Sequence, residues 1–313
     1  MPAQERKPNF RWGYAIFIVI LLAILGLIAV GIISLFAGTD VASLNGNVAL
    51  IPIEGEIIGT SDTGLFSQGT VSSPDVIELI EKAGKNPNIK AIIFEIDSPG
   101  GSAVASEEIA AAVKKTNKTT VAWIREVGAS GAYWIASSTE HIVANRASIT
   151  GSIGVIASYL EFPGFLSRYN ITYRRLVAGK YKDIGTPLKE MSIEEQAYLQ
   201  SSLDEMRDYF VSEVAKNRRM NKKDVDKIAN GLFYLGSRAK DYGLIDELGG
   251  KKEAVTYIER KENITAEIVE YKKPKGLLGL LGETVSQASF YAGKGIGSAF
   301  LDRKVSSSLS IST

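Results

Sequence analysis

The chain has 313 residues, 45% of them hydrophobic, and 36 basic against 35 acidic side chains. It can therefore bury one sizeable core, and no charge excess favours nucleic acid. It has no cysteine and one histidine, His141, which excludes disulfide frameworks, thiol catalysis, Cys-ligated metals and any site needing two imidazoles. In chain order, the first predicted element is apolar: no charged residue occurs from Trp12 to Thr39. The run 13-GYAIFIVILLAILGLIAVGIISLFA-37 makes a helix of about 37 Å, enough to cross a bilayer with some tilt. Arg6, Lys7 and Arg11 precede it and no Lys or Arg recurs until Lys82. This asymmetry predicts a single-pass signal anchor in the cell membrane, with residues 1–12 cytoplasmic and the rest extracytoplasmic. Residues 38–46 read as a linker.

Beyond the linker, strand-like and helix-like segments alternate. 48-VALIPIEG-55 reads as a strand, 75-DVIELIEKAG-84 as an amphipathic helix and 89-IKAIIFEID-97 as a buried strand. Then come a helix at 103-AVASEEIAAAVKKT-116, a strand at 119-TTVAWIR-125, a glycine-entered helix at 128-GASGAYWIASS-138, and strands at 140-EHIVAN-145 and 171-ITYRRLVA-178. Ser192 and Glu195 form a capping box ahead of a long helix over 193–216. Such alternation predicts an α/β fold of βαβ units on a parallel sheet. The tail, 266–313, is glycine-rich and apolar but broken by charges, which suits an interfacial or oligomer-contacting segment.

Three glycine-marked turns follow predicted strands: 97-DSPGGS-102, 126-EVGASG-131 and 149-ITGSIGVI-156. In a parallel sheet such turns gather at the carboxyl ends of the strands, where ligands bind. The Pro-Gly-Gly turn offers backbone N–H groups to an anion, although a plain βα turn has the same composition. Ser130 likewise reads either as a helix cap or as a nucleophile set among small residues. The nucleophile-elbow pattern G-x-S-x-G is not matched by Gly-Ala-Ser-Gly-Ala, which disfavours an α/β-hydrolase. A serine nucleophile needs a base. His141 lies in an apolar strand with no Asp placed to orient it. The alternative is a lysine, which acts only when neutral and so needs burial to lower its pKa from about 10.4 to about 7. Lys180 and Lys182, in 179-GKYKDIGTP-187, are both candidates.

Taken together, 97-DSPGGS-102, 128-GASGAYWIAS-137, 150-TGSIGVI-156 and 179-GKYKDIGTP-187 resemble, in order and spacing, the peptidase S49 family of SppA-type signal peptide peptidases, in its short, single-repeat form. The resemblance covers roughly residues 47–265, and the anchor in front also fits it. It implies a ClpP/crotonase-like spiral of βαβ units, with Ser130 as nucleophile and Lys182 as general base. Ser152 would support the lysine, and the backbone N–H groups of Gly101 and Gly131 would form the oxyanion hole. It implies no metal or cofactor, apolar signal-peptide-like substrates, and a homo-oligomer in which Ser130 of one subunit meets Lys182 of another. Ala129 and Ala132 are expected to line the substrate groove. Competing readings are a peptidase that cuts membrane-protein termini, an acyl-CoA enzyme using Glu126 or Glu161, and a non-catalytic scaffold of the same fold.

Overall fold

The computed structural model describes residues 12–37, 46–60 and 69–272. They fall into two units. The first contains α1 (Trp12–Ala37), whose described side chains, at 14 and 16–29, are exposed and apolar. Among the described residues no helix is long and apolar enough to cross a membrane, so the anchor expected over 13–37 is not established by the fold. Residues 1–11, most of the expected linker and the tail beyond 272 lie outside the described residues.

The second unit, residues 45–62 and 69–272, is a mixed α/β structure. Its order is β1 (Val48–Glu54), β2 (Glu56–Ile58), β3 (Thr70–Ser72), α2 (Ser73–Lys85), β4 (Ala91–Ser98), α3 (Ala103–Lys115), β5 (Thr119–Ala129), α4 (Gly131–Ser137), β6 (His141–Ala144), β7 (Ile149–Gly151), α5 (Pro163–Arg168), α6 (Ile193–Arg218), α7 (Lys222–Ile228), β8 (Phe233–Leu235), α8 (Gly236–Asp241), β9 (Glu247–Leu248), α9 (Lys251–Glu262) and β10 (Ile268–Glu270). The main sheet runs β10-β1-β4-β5-β6-β9, every neighbouring pair parallel. β7 continues beside the end of β5, and β8 lies antiparallel to β7. β2 and β3 pair separately.

The near-continuous apolar strands follow from burial on both faces. In β1 and β4, Ala49, Ile51, Ile53, Ile92, Phe94 and Ile96 face α2, α3 and α4. The alternate residues Val48, Leu50, Ala91 and Ile93 face Ala254 and Ile258 of α9. Each such aliphatic side chain contributes about 1.5–3 kcal/mol by leaving water. Parallel stacking brings the carboxyl ends of β4, β5 and β7 to one edge of the sheet, where the three glycine-marked turns lie.

The expected strand over 171–178 does not form. Ile171, Tyr173, Leu176 and Val177 are exposed within an extended arm, residues 152–192, whose one helix is α5. Their alternation mimics a strand, but among the described residues no partner strand lies beside them. The arm folds back on itself instead: Phe162 N–H donates to Pro187 O at 2.7 Å and Met191 N–H to Glu161 at 3.0 Å. The expected helix over 128–138 is shorter, because Gly128 and Ala129 complete β5 and α4 begins at Gly131.

The capping box forms as expected. Ser192 Oγ accepts from Glu195 N–H at 3.3 Å, and the Glu195 carboxylate accepts from Ser192 N–H at 2.9 Å and from Lys189 Nζ at 2.6 Å. The Lys189 bond first, then the Ser192 bond, lowers the Glu195 pKa from 4.5 to about 2. A carboxyl depressed on folding stabilises the protein above its unfolded pKa, and that contribution disappears as pH falls from about 4.5 toward 2. Removing the cap through Ser192→Ala should cost about 1 kcal/mol in a denaturant titration. Glu195→Gln should flatten the loss of melting temperature between pH 4.5 and 2; an unchanged acid slope would contradict this origin.

Candidate active site

β4 ends at Ser98, and α3 begins at Ala103 after four intervening residues. Between them, Gly100 O accepts from Ile57 N–H at 2.9 Å and Ser102 N–H donates to Ile57 O at 2.8 Å, so β2 bridges the turn at Gly101. The turn leaves no room for side chains. A Cβ on Gly101 would lie 2.1 Å from Ile57 O; one on Gly100, at φ 99°, would lie 2.8 Å from Gly131 N and 2.9 Å from Ser130 Cβ. In a parallel bridge the residue flanked by the two bonds turns its own N–H to the opposite side. Gly101 N–H therefore faces away from Ile57, toward Gly131, where a Cβ would sit 3.5 Å from Gly101 N. The two N–H groups that the sequence singled out are neighbours.

Ser130 joins β5 to α4 with φ 54° and ψ −125°, a conformation that costs a non-glycine residue about 1–3 kcal/mol. Its N–H donates to Gly151 O at 2.8 Å and its carbonyl accepts from Trp134 N–H at 3.0 Å. Its hydroxyl makes no capping bond to α4, so the helix-cap reading fails. The pattern G-x-S-x-G is absent, yet the strained strand-to-helix turn that such a pattern builds is present. Gly131 is packed against Ser106 on α3, whose Oγ would lie 2.1 Å from a Cβ there. Ala129 and Ala132, expected in a substrate groove, are 6% and 0% exposed. They belong to the core and line no groove.

Ser152 follows Gly151 at φ 50°, its N–H on Leu232 O at 3.0 Å and its hydroxyl 3.3 Å from Gly231 O. The two lysines differ. Lys180 is ion-paired with Glu194 at 2.7 Å, and that bond, then Tyr181, raises its pKa. It is a fixed cation. Lys182 is exposed on a loop pinned by Arg175, which holds Asp183 at 2.5 and 2.8 Å and Lys180 O at 2.8 Å. The described contacts unite Gly100, Gly101, Ser130, Gly131 and Gly151; they do not bring Lys182 to Ser130.

His141 does have acidic neighbours, contrary to expectation: Glu247 at 3.2 Å and Asp246 at 4.0 Å, with its ring stacked 3.9 Å from Tyr257. However, it pairs with Val121 near the start of β5, whereas Ser130 follows the end of that strand. At about 3.3 Å per residue the two are separated by roughly 25 Å. Glu161 is taken up by Met191 N–H at 3.0 Å, and Glu126 is exposed on β5. Sequence reasoning missed Ile57, which clamps the turn, and Ser106, which closes behind Gly131. Only the spacing of Ser102 and Ser106, one helical turn apart, hinted at the latter.

Residues 112–265 match the family model for peptidase family S49, a span that holds Ser130, Gly131, Ser152 and Lys182. A candidate protease of Methanocaldococcus jannaschii is 34% identical over 290 residues, 90% of each chain. A candidate signal peptide peptidase of the SppA type from Enterococcus faecium is 31% identical over 232 residues, 73% of this chain and 67% of that one. Among solved structures, a membrane-bound stomatin-specific protease with a bound substrate peptide is similar at a TM-score of 0.48 and 14% identity, over 77% of this chain and 99% of that one. With a relative so similar along nearly the whole of both chains, and the family model spanning the serine turn, this chain belongs to peptidase family S49 and is a serine peptidase of the SppA type.

Proposed function

We propose that this peptidase is a membrane-anchored endopeptidase with a Ser130–Lys182 dyad, which hydrolyses apolar peptides such as released signal peptides. The observation that carries the reading is Ser130 itself. It holds a strained backbone, its hydroxyl caps nothing, and the N–H groups of Gly101 and Gly131 lie beside it. In the reaction, neutral Lys182 Nζ takes the Ser130 Oγ proton as Oγ bonds to the substrate carbonyl carbon. The oxyanion accepts hydrogen bonds from Gly101 and Gly131. The C–N bond then breaks as Lys182 gives the proton to the leaving amine; neutral again, Lys182 takes a proton from a water that attacks the acyl carbon, and returns it to Ser130 Oγ as the acyl C–O bond breaks and the acid leaves. Ser152, the residue after Gly151 at the end of β7, orients the lysine.

A lysine works as a base only where water is excluded. In the single chain Lys182 is exposed, and the arm that carries it also exposes Ile156, Leu160 and Leu176. Both features favour a homo-oligomer in which a neighbour supplies the lysine to Ser130 and covers it. The stepwise order β1-β4-β5-β6 supports the ClpP/crotonase-like spiral. Val104 on α3 and Leu232 and Phe233 beside Gly151 are exposed apolar side chains around the turn. They favour apolar substrates. The uncharged stretch from Trp12 to Thr39 supports the anchor; release of the full chain from membranes by alkaline carbonate would rule it out.

Ser130→Ala and Lys182→Ala should each lower kcat on an apolar peptide by about a thousandfold or more, with assembly retained. Mixing the two inactive proteins should restore part of the activity; failure to do so would place both groups in one subunit. Activity remaining in Ser130→Ala would end the reading. Because glycine relieves the strain at φ 54°, Ser130→Gly should be inactive yet more stable than Ser130→Ala by about 1 kcal/mol in urea unfolding.

A further inference from the structure

The parallel register between β4 and β5 runs from Ala91↔Thr119 to Ile96↔Ile124, then resumes at Ser98↔Gly128. β5 therefore spends four residues where β4 spends two. This is a bulge, and it falls where β5 also changes its partner on the other edge. Pairing with β6 ends at Ile124↔Ala144, and pairing with β7 begins at Val127↔Ile149. A stretch that leaves its ladders strands backbone N–H and C=O groups, and side chains have to meet them. Two side chains do so. Asp97, on β4, accepts Val127 N–H through Oδ1 at 3.2 Å. Ser148, buried at 3% exposure, reaches the carbonyls of Ile124 and Arg125 with its hydroxyl.

The position of this clamp matters because Val127 is three residues from Ser130. A backbone at φ 54° and ψ −125° persists only when its surroundings over-determine it. Downstream, α4 and the Gly151 carbonyl fix one side of Ser130. Upstream, the bulge fixes the other, and its length sets how far the serine is carried past the Gly100–Gly101 turn.

We infer that Asp97 is a positioning residue for Ser130: by accepting Val127 N–H, its carboxylate sets the bulge that delivers the hydroxyl to the Gly101 and Gly131 N–H groups. The inference rests on Ser130 being the nucleophile. Asp97 touches neither substrate nor the reacting atoms. Its work is that of an acceptor, which an amide oxygen can also do and a hydrocarbon of the same shape cannot. Without it Val127 N–H is orphaned and the bulge relaxes. A misplacement near 1 Å at a reacting group costs about a hundredfold in rate. Apolar substrate contacts lie on other elements and remain, so the loss belongs in kcat.

The test compares the full-length wild type with Asp97→Asn, Asp97→Leu and Ser130→Ala, measuring kcat and KM on an apolar peptide together with thermal melting. Asp97→Asn should keep kcat within about threefold, while Asp97→Leu should lose about 10- to 100-fold in kcat with KM within about twofold. A folded Asp97→Leu with wild-type kcat, a loss carried by KM, or an Asp97→Asn as impaired as Asp97→Leu would each overturn the inference. If Asp97→Leu does not fold, Asp97→Asn decides alone: retained kcat supports the acceptor role and lost kcat overturns it. Activity in Ser130→Ala is a separate outcome that removes the nucleophile reading itself, whatever Asp97 does.

Discussion

The site depends on a close approach of three backbones. Ile57 of β2 lies on one side of the Gly100–Gly101 turn and the Ser130–Gly131 junction lies on the other, so that a single Cβ at Gly101 would meet Ile57 O at 2.1 Å. Nothing larger than hydrogen fits between these chains. That steric fact requires glycine at both positions, independently of any turn propensity. It also orients a donor: the bridge to Ile57 occupies the groups flanking Gly101 and leaves its own N–H turned away from Ile57. The parallel sheet supplies the scaffold. Strands buried on both faces hold the ends of β4, β5 and β7 in register, and the turns inherit that rigidity.

Against this scaffold the serine is the strained element. Its backbone conformation disfavours every residue but glycine, and the fold maintains it with a carbonyl from β7, the first turn of α4 and a bulge upstream. Strain of this kind costs stability and positions a hydroxyl. The lysine shows the opposite condition. Lys180 is fixed as a cation by Glu194, whereas Lys182 projects from a loop braced by Arg175 and Asp183. The serine turn is built within one chain, whereas Lys182 faces solvent. On the proposed dyad, a peptidase organised in this way would be active only after assembly, which would keep single subunits harmless during synthesis.

Much of the fold was legible in the sequence because burial on both faces writes itself as near-continuous apolar runs, as in 91-AIIFEI-96 with Glu95 alone breaking it, and because the Ser192–Glu195 box marks the start of α6. The false strand at 171–178 shows the limit. Alternation of apolar and polar residues reports a face to be covered, not what covers it, and the exposed Ile171 and Tyr173 carry the same pattern as an inward-facing strand. The glycine turns and Ser130 stood out by composition. The bulge did not: 125-REV-127 contains no glycine or proline, and it coincides with a change of strand partner to β7, 22 residues on. The ion pair that distinguishes Lys180 from Lys182 was equally invisible, since Glu194 belongs to a different element.

Whether Ser130 is a nucleophile made reactive by its placement can be read out by reacting the protein with a fluorophosphonate and locating the adduct by peptide mass spectrometry. One adduct is expected, on Ser130, formed far more slowly in Lys182→Ala. An adduct on another serine, or labelling of Ser130 at the same rate without Lys182, would contradict it.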